Sequence, residues 1–197
     1  GRHVGLPGED VRVGTTVLTA GRVLRPQDLG VLSSIGRAQV AVVRQPKVQI
    51  VVTGNEVLPT GTPPADYQIA DANGPMLAAL VARDGGVPLG PNLIADDPAA
   101  ILAALHCPAD IVLVSGGSSV GQEDHVPRLL AAHGQRAIHG VAMRPSSPAG
   151  MGVLDDRLVF RLPGNPVSGL CAYDFFAGRA IRALGGRSPG WPYRRTN

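Results

Sequence analysis

The sequence predicts an α/β fold, a three-layer α/β/α sandwich around a mostly parallel sheet. Three observations carry this prediction. Short β-branched runs such as VQIVVT (48–53) and DIVLVS (110–115) are apolar on both faces, as central parallel strands are. Segments of helical spacing, with capping residues at their ends, alternate with those runs, which implies βαβ units. Aromatic residues make up 4% of the chain against 44% hydrophobic residues overall, so the core must be built from Val, Leu, Ile and Ala.

Residues 1–46 read as a separate, β-rich remnant. VRVGTTVLTAGRVL alternates short β-type runs with glycine turns. RPQDLGVLSSIG predicts a short helix, with Pro26 early, Leu29, Leu32 and Ile35 on one side, and Gly36 as its stop. AQVAVVRQP predicts one more strand, closed by Pro46. This stretch is too short for an independent core.

Residues 47–186 form the α/β domain. The strand at 48–53 is followed by a helix over 74–86, with Asp71 and Asn73 as candidate caps and two glycines at its end. VPLGPNLI is a weaker strand. DDPAAILAALH (96–106) predicts a helix with Asp97 as N-cap and Pro98 at the first helical position. The strand at 110–115 runs into GGSSVG. A helix over 125–134 and a strand over QRAIHGVAMR come next. GMGVLDDRLVFRLP (150–163) predicts a hairpin turning at Asp155-Asp156. The last helix (165–186) takes Asn165 as cap, Pro166 at its first position and Gly185-Gly186 as its stop.

Composition narrows the function classes. The formal charge is +3, but the basic residues are scattered except near Arg187, Arg194 and Arg195, and no aromatic-rich strand could stack bases. A nucleic-acid partner is not expected; binding of small anions explains a mildly basic protein. No apolar run reaches the ~20 residues of a membrane span, and no signal peptide is visible. Cys107 and Cys171 belong to no metal or redox spacing and read as core thiols. The five histidines show no metal spacing either.

Ligands of open α/β sheets bind beyond the C-terminal strand ends. Three motifs fall there: TGNE (Thr53, Gly54, Asn55, Glu56), SGGSSVGQED (115–124) and PGNPVS (163–168). Gly116 and Gly117 permit a close backbone approach, Ser118 and Ser119 add hydroxyl donors, and Gly164 with the following amides offers N–H groups to an anion. The same glycines also suit plain turns. The loop is neither a Walker A nor a GxGxxG motif. Glu56, Asp96, Asp97 and Asp124 lie at strand ends or helix starts. Asp97 fits an N-cap role best. Glu56 and Asp124 have no evident cap partner, and beside a phosphate cradle they suggest Mg²⁺ as readily as solvated loop charge. MRPSSP (143–148) is either an anion contact or a surface turn.

TGNEV, IADANGPML, DDP, SGGSSVGQED and LPGNPVS, in that order, resemble the central domain of the molybdopterin molybdenumtransferases (the MoeA type, and the corresponding domain of gephyrin), and GEDVRVGTTVLTAGRVLRPQDLGVLSSIG is similar to the segment just upstream. The resemblance covers almost the whole chain. It implies a role in molybdenum-cofactor biosynthesis: molybdate and adenylylated molybdopterin are the substrates, AMP is released, and molybdenum is left on the dithiolene. It also implies Mg²⁺ dependence, a cytoplasmic homodimer, and possible contacts with an adenylyltransferase and with molybdoenzyme acceptors. By resemblance, Glu56, Asp97 (or Asp96) and Asp124 are the catalytic acids, with Glu56 and Asp124 on the metal. Thr53, Gly54, Gly116, Gly117, Ser118, Ser119, Arg144, Ser147, Pro163, Gly164 and Asn165 form the ligand cradle. Three positions depart from the family pattern. Asn55 stands where the family has Asp, and in MRPSSP Arg144 and Ser147 stand where it has Lys. Residues 187–197 match the start of a C-terminal β-barrel, which lies outside these residues together with an upstream catalytic segment. Two other readings share the fold: adenylylation of molybdopterin by a nucleotide, and a binding or scaffold module without catalysis.

Overall fold

The computed structural model describes residues 4–116 and 125–190. The chain divides into two compact units, residues 1–43 and 44–197.

The first unit differs from the expectation. Its one regular element among the described residues is helix α1 (Pro26–Ser34). Pro26 opens it, and the Asp28 carboxylate accepts from the Arg25 amide at 2.9 Å and from the Arg22 guanidinium at 2.9 Å. The strands expected within 11–24 and 38–46 do not form. A strand needs a neighbour for its hydrogen bonds and a face to bury, and here Val11, Val13, Val23, Val40, Val42 and Val43 are all exposed. Leu29 also faces outward, so Leu32 alone of the apolar residues described in this unit is buried.

The second unit holds a six-stranded sheet. Its strands are β1 (Lys47–Thr53), β4 (Val87–Ile94), β5 (Ile111–Ser115), β6 (Gln135–His139), β7 (Gly150–Leu154) and β8 (Arg157–Leu162), in the order β4-β1-β5-β8-β7-β6. The β4-β1-β5-β8 block is parallel, while β7 and then β6 extend it antiparallel on the β8 side. A small parallel pair, β2 (Val57–Leu58) with β3 (Ile69–Ala70), sits beyond β1. β6 is shorter than the ten-residue strand expected, because the chain turns left-handed at Gly140 (φ 80°).

Strand alternation divides the core in two. Val48, Ile50, Val52, Ile111, Leu113, Phe160 and Leu162 face Leu77 and Val81 of α2 (Asn73–Arg83), together with Ala172, Tyr173, Ala177 and Ile181 of the last helix. Val51, Val112, Val114 and Val159 face Ile101 and Leu105 of α3 (Pro98–Leu105) and Val126 and Leu130 of α4 (His125–His133). These are the three layers. The last helix runs as α5 (Pro166–Ala172), a π-helical turn over Tyr173–Ala177, and α6 (Gly178–Leu184). Caps form largely as the residues dictate: Asp97 accepts from the Ala100 amide at 2.8 Å and Asn165 from that of Ser168 at 3.2 Å. Asp71 caps α2 through the Gly74 amide at 2.8 Å, while Asn73 lies inside the helix instead. Cys107 and Cys171 are only partly buried, in contrast to the core position expected for both. Residues 187–190 form no strand.

Candidate functional site

Four parallel strands end on one edge, and each hands the chain to a loop there. β1 leads into TGNE, β4 into the DDP loop, β5 into Gly116, and β8 into PGNP. Between these loops lies a cleft of about 600 Å³, whose walls include Thr53, Glu56, Asp71, Asn73, Asp96, Ser115, Gly116, Gly164, Asn165 and Pro166. Val57, Ile69 and Ala70 of the small strand pair give it an apolar side. A concave site with an apolar wall and a few converging polar groups is the usual form of a small-molecule pocket.

Local contacts fix the loops. Gly116 adopts φ +118°, and a Cβ there would overlap the Thr53 carbonyl and crowd its hydroxyl, so the ends of β1 and β5 meet backbone to backbone only with glycine. The Asn55 carboxamide oxygen accepts from the Asp96 amide at 3.3 Å and links the TGNE and DDP loops. The neutral residue at position 55 therefore serves as a tie. Asn73 donates through Nδ2 to Ser115 Oγ at 2.9 Å and to the Gly164 carbonyl at 2.7 Å. Ser146 is buried, and its hydroxyl donates to the Ser168 carbonyl at 2.6 Å, which holds the MRPSSP loop to the start of α5.

Of the residues singled out from sequence, Thr53, Glu56, Gly116, Gly164 and Asn165 line this cleft. Asp97 does not, because its carboxylate is spent on the α3 amide, and its neighbour Asp96 occupies the wall. Arg144 and Ser147 are exposed and are not among the lining residues; Gly54 and Pro163 are absent from the lining too. Gly117, Ser118, Ser119 and Asp124 lie outside the described residues. Asp71 and Asn73, expected from sequence only as caps, and Ser115, not among the expected site residues, also line the cleft. Their shared signal was position: Ser115 ends a strand at the ligand-binding edge, and Asp71 and Asn73 open a helix there.

Glu56, Asp71 and Asp96 bring three carboxylates to the cleft. One oxygen of Asp71 and one of Asp96 are buried without a hydrogen-bond partner. Among the described residues, no three of His, Cys, Asp and Glu gather as a complete metal cage. Elsewhere in this unit several charges are paired. The Arg44 guanidinium meets both Asp110 oxygens at 2.6 and 2.7 Å, and with the Lys47 amide it holds that carboxyl down at about 2.

Residues 49–183 match the family model described as "Probable molybdopterin binding domain". The chain is 36% identical to molybdopterin molybdenumtransferase 2 of Mycobacterium tuberculosis, covering 98% of this chain and 50% of the relative. It is also 36% identical to the molybdopterin molybdenumtransferase of a Nostoc species, covering 94% of this chain and 46% of that one. The crystal structure of the MoeA molybdopterin-biosynthesis protein from Pyrococcus horikosii superposes with a TM-score of 0.81 at 30% identity, over 91% of this chain and 46% of that one. This chain thus spans about half the length of the curated relatives it matches. Its order of strands, its edge cleft and these matches agree, and the chain belongs to the molybdopterin-binding domain family.

Proposed function

We propose that this chain is the pterin-binding part of a molybdopterin molybdenumtransferase, acting on adenylylated molybdopterin and molybdate with release of AMP. The observation that carries the reading is the cleft itself. Carboxylates line it at Glu56, Asp71 and Asp96, the backbone lies bare at Gly116, and an apolar flank at Val57 and Ile69 suits a flat heterocycle. Its relatives at 36% identity carry the molybdenumtransferase name.

Mg²⁺ fits the donor set. This ion keeps several waters and is held by one or two carboxylates plus substrate phosphates, not by a closed protein cage. Asp96, with a buried oxygen that lacks a partner, and Glu56 are the described residues that would hold it; Asp124 is a further candidate by family resemblance. When bound, the ion would polarise phosphoryl oxygens. The chain's own residues shape the pocket, with Thr53 and Gly116 closing its floor and Asn55 steadying the Asp96 backbone. We assign the catalytic acid of the DDP motif to Asp96 and a capping role to Asp97. Homodimer formation and a cytoplasmic location belong to the same reading.

Activity is best tested in the full-length protein, by AMP release from adenylylated molybdopterin with molybdate and Mg²⁺. Asp96→Asn should reduce release at least ~100-fold and flatten the Mg²⁺ dependence, an effect of the order seen when a charged group is taken from a transition-state site. Asp97→Ser keeps a capping oxygen and should leave release within about twofold, with a stability change of a few tenths to ~1 kcal/mol. Normal turnover by Asp96→Asn would remove this residue from the mechanism. Absence of AMP release from the wild type, with pterin binding intact, would favour a binding module without catalysis.

A further inference from the structure

The cleft is assembled from loops that are distant in sequence, and one side chain joins three of them. Asn73, in the first turn of α2, is 8% exposed. The two hydrogens of its Nδ2 go to different elements: Ser115 Oγ, 42 residues away at the end of β5, and the Gly164 carbonyl, 91 residues away in the turn after β8. Ser115 is itself buried and directly precedes Gly116. Gly164 directly precedes Asn165 and Pro166, which also line the cleft. The loops that leave the neighbouring strands β5 and β8 are therefore both tied to the start of α2 through a single carboxamide.

We propose that Asn73 is a positioning residue, a clamp that fixes the lining of the pterin cleft by holding the β5 end and the PGNP turn to the start of α2. The inference rests on the functional reading above and adds a residue to it. Three properties support a role beyond packing. A buried amide whose two N–H groups both serve as ties cannot be replaced by water without loosening both loops. Its other polar atom, Oδ1, is buried with no partner; a group chosen for packing alone would not leave an acceptor unsatisfied at a cleft wall. Gly74 follows it because a Cβ there would overlap the Asp71 carboxylate and crowd Pro91, so the turn that presents Asn73 is itself tightly specified.

The clamp makes a separable prediction for affinity and for stability. Ser115→Ala removes one of the two acceptors while leaving the carboxamide in place. Asn73→Ala removes both ties, and Asn73→Asp keeps the shape but turns a donor into an acceptor facing the Gly164 carbonyl. Molybdopterin binding to the full-length protein, measured by calorimetry at a temperature where every variant is folded, should weaken about tenfold or more in Asn73→Ala and Asn73→Asp. It should weaken by a smaller factor in Ser115→Ala. The double variant Asn73→Ala/Ser115→Ala should bind no worse than Asn73→Ala, because both changes cut the same tie. Amide hydrogen exchange without ligand should quicken together at residues 115–116 and 164–168 in Asn73→Ala and stay unchanged elsewhere in the sheet.

Unchanged affinity in Asn73→Ala, with only a lowered melting temperature, would overturn the clamp and leave a structural asparagine. Additive losses in the double variant would also overturn it. If the wild type itself fails to bind molybdopterin, the functional reading fails, and the exchange pattern then decides the clamp. Joint quickening of the two loops sustains it, and quickening spread evenly over the domain refutes it.

Discussion

At the scale of single residues, the second unit shows how differently charge is handled inside and outside. Asp84 follows α2 and is buried, and it accepts from Arg83 at 2.8 Å and Arg182 at 2.8 Å. Burial pushes its carboxyl upward, but the two guanidinium groups outweigh that and hold it below the usual value. Burial and the Asp84 charge push the neighbouring Tyr173 phenol well up. Asp84→Ala strands Arg182, whose side chain is 8% exposed. Breaking a buried pair on one side costs about 3–5 kcal/mol, which urea unfolding should register as a large drop in midpoint. Asp110 is the outer counterpart. Its folded value of about 2 lies below the ordinary 3.8, so its contribution is complete above about pH 4 and is lost as pH falls through about 2. The stability difference between wild type and Arg44→Ala should accordingly stay constant from about pH 7 to 5 and shrink toward pH 2. A difference that persists at the lowest pH would assign the effect to something other than this pair.

At the scale of elements, local chemistry explains why the hairpin, the caps and the glycine turns stand where they do. β7 and β8 are joined by Asp155 and Asp156, both left-handed at φ 46° and 63°, as a two-residue hairpin turn of matching twist requires. Asp155 is anchored by His106 at 2.7 Å and Arg157 at 3.1 Å, and the histidine and arginine hold its carboxyl low. Asp156→Gly relieves a left-handed side chain that costs about 1–2 kcal/mol, less the entropy that glycine loses on folding. A net gain of about 0.5–1 kcal/mol is expected in thermal unfolding, whereas Asp155→Gly should lose its anchoring contacts and gain nothing. The π-helical turn over Tyr173–Ala177 has a related logic: it lies where Asp174 is buried against Arg83 at 2.6 Å while Tyr173 and Ala177 stay in the core.

At the scale of the whole molecule, stability resides in the second unit. Both apolar cores belong wholly to it, and the first unit contributes Leu32 alone to the buried apolar residues described. Residues 44–197 expressed by themselves should therefore fold cooperatively, with a melting temperature within a few degrees of the 197-residue chain. Loss of cooperative unfolding in that fragment would show that residues 1–43 stabilise the sheet.

The sequence by itself determined whatever depends on neighbours along the chain. The Asp97 and Asn165 caps with their following prolines and the Asp-Asp hairpin were legible because their hydrogen bonds close within a few residues, and the apolar runs at 48–53 and 110–115 and the family motifs because their residue pattern is itself local. The tertiary structure alone decided which strands pair, and hence which loops meet. It placed Asp96 and not Asp97 in the cleft, since one carboxylate of the pair was already committed to a helix amide. It revealed Asn73 as a tie, since its partners lie 42 and 91 residues away and no local pattern encodes them. It also removed the strands expected before Lys47. A β-type run states a preference, and a strand exists only where a second strand satisfies its backbone.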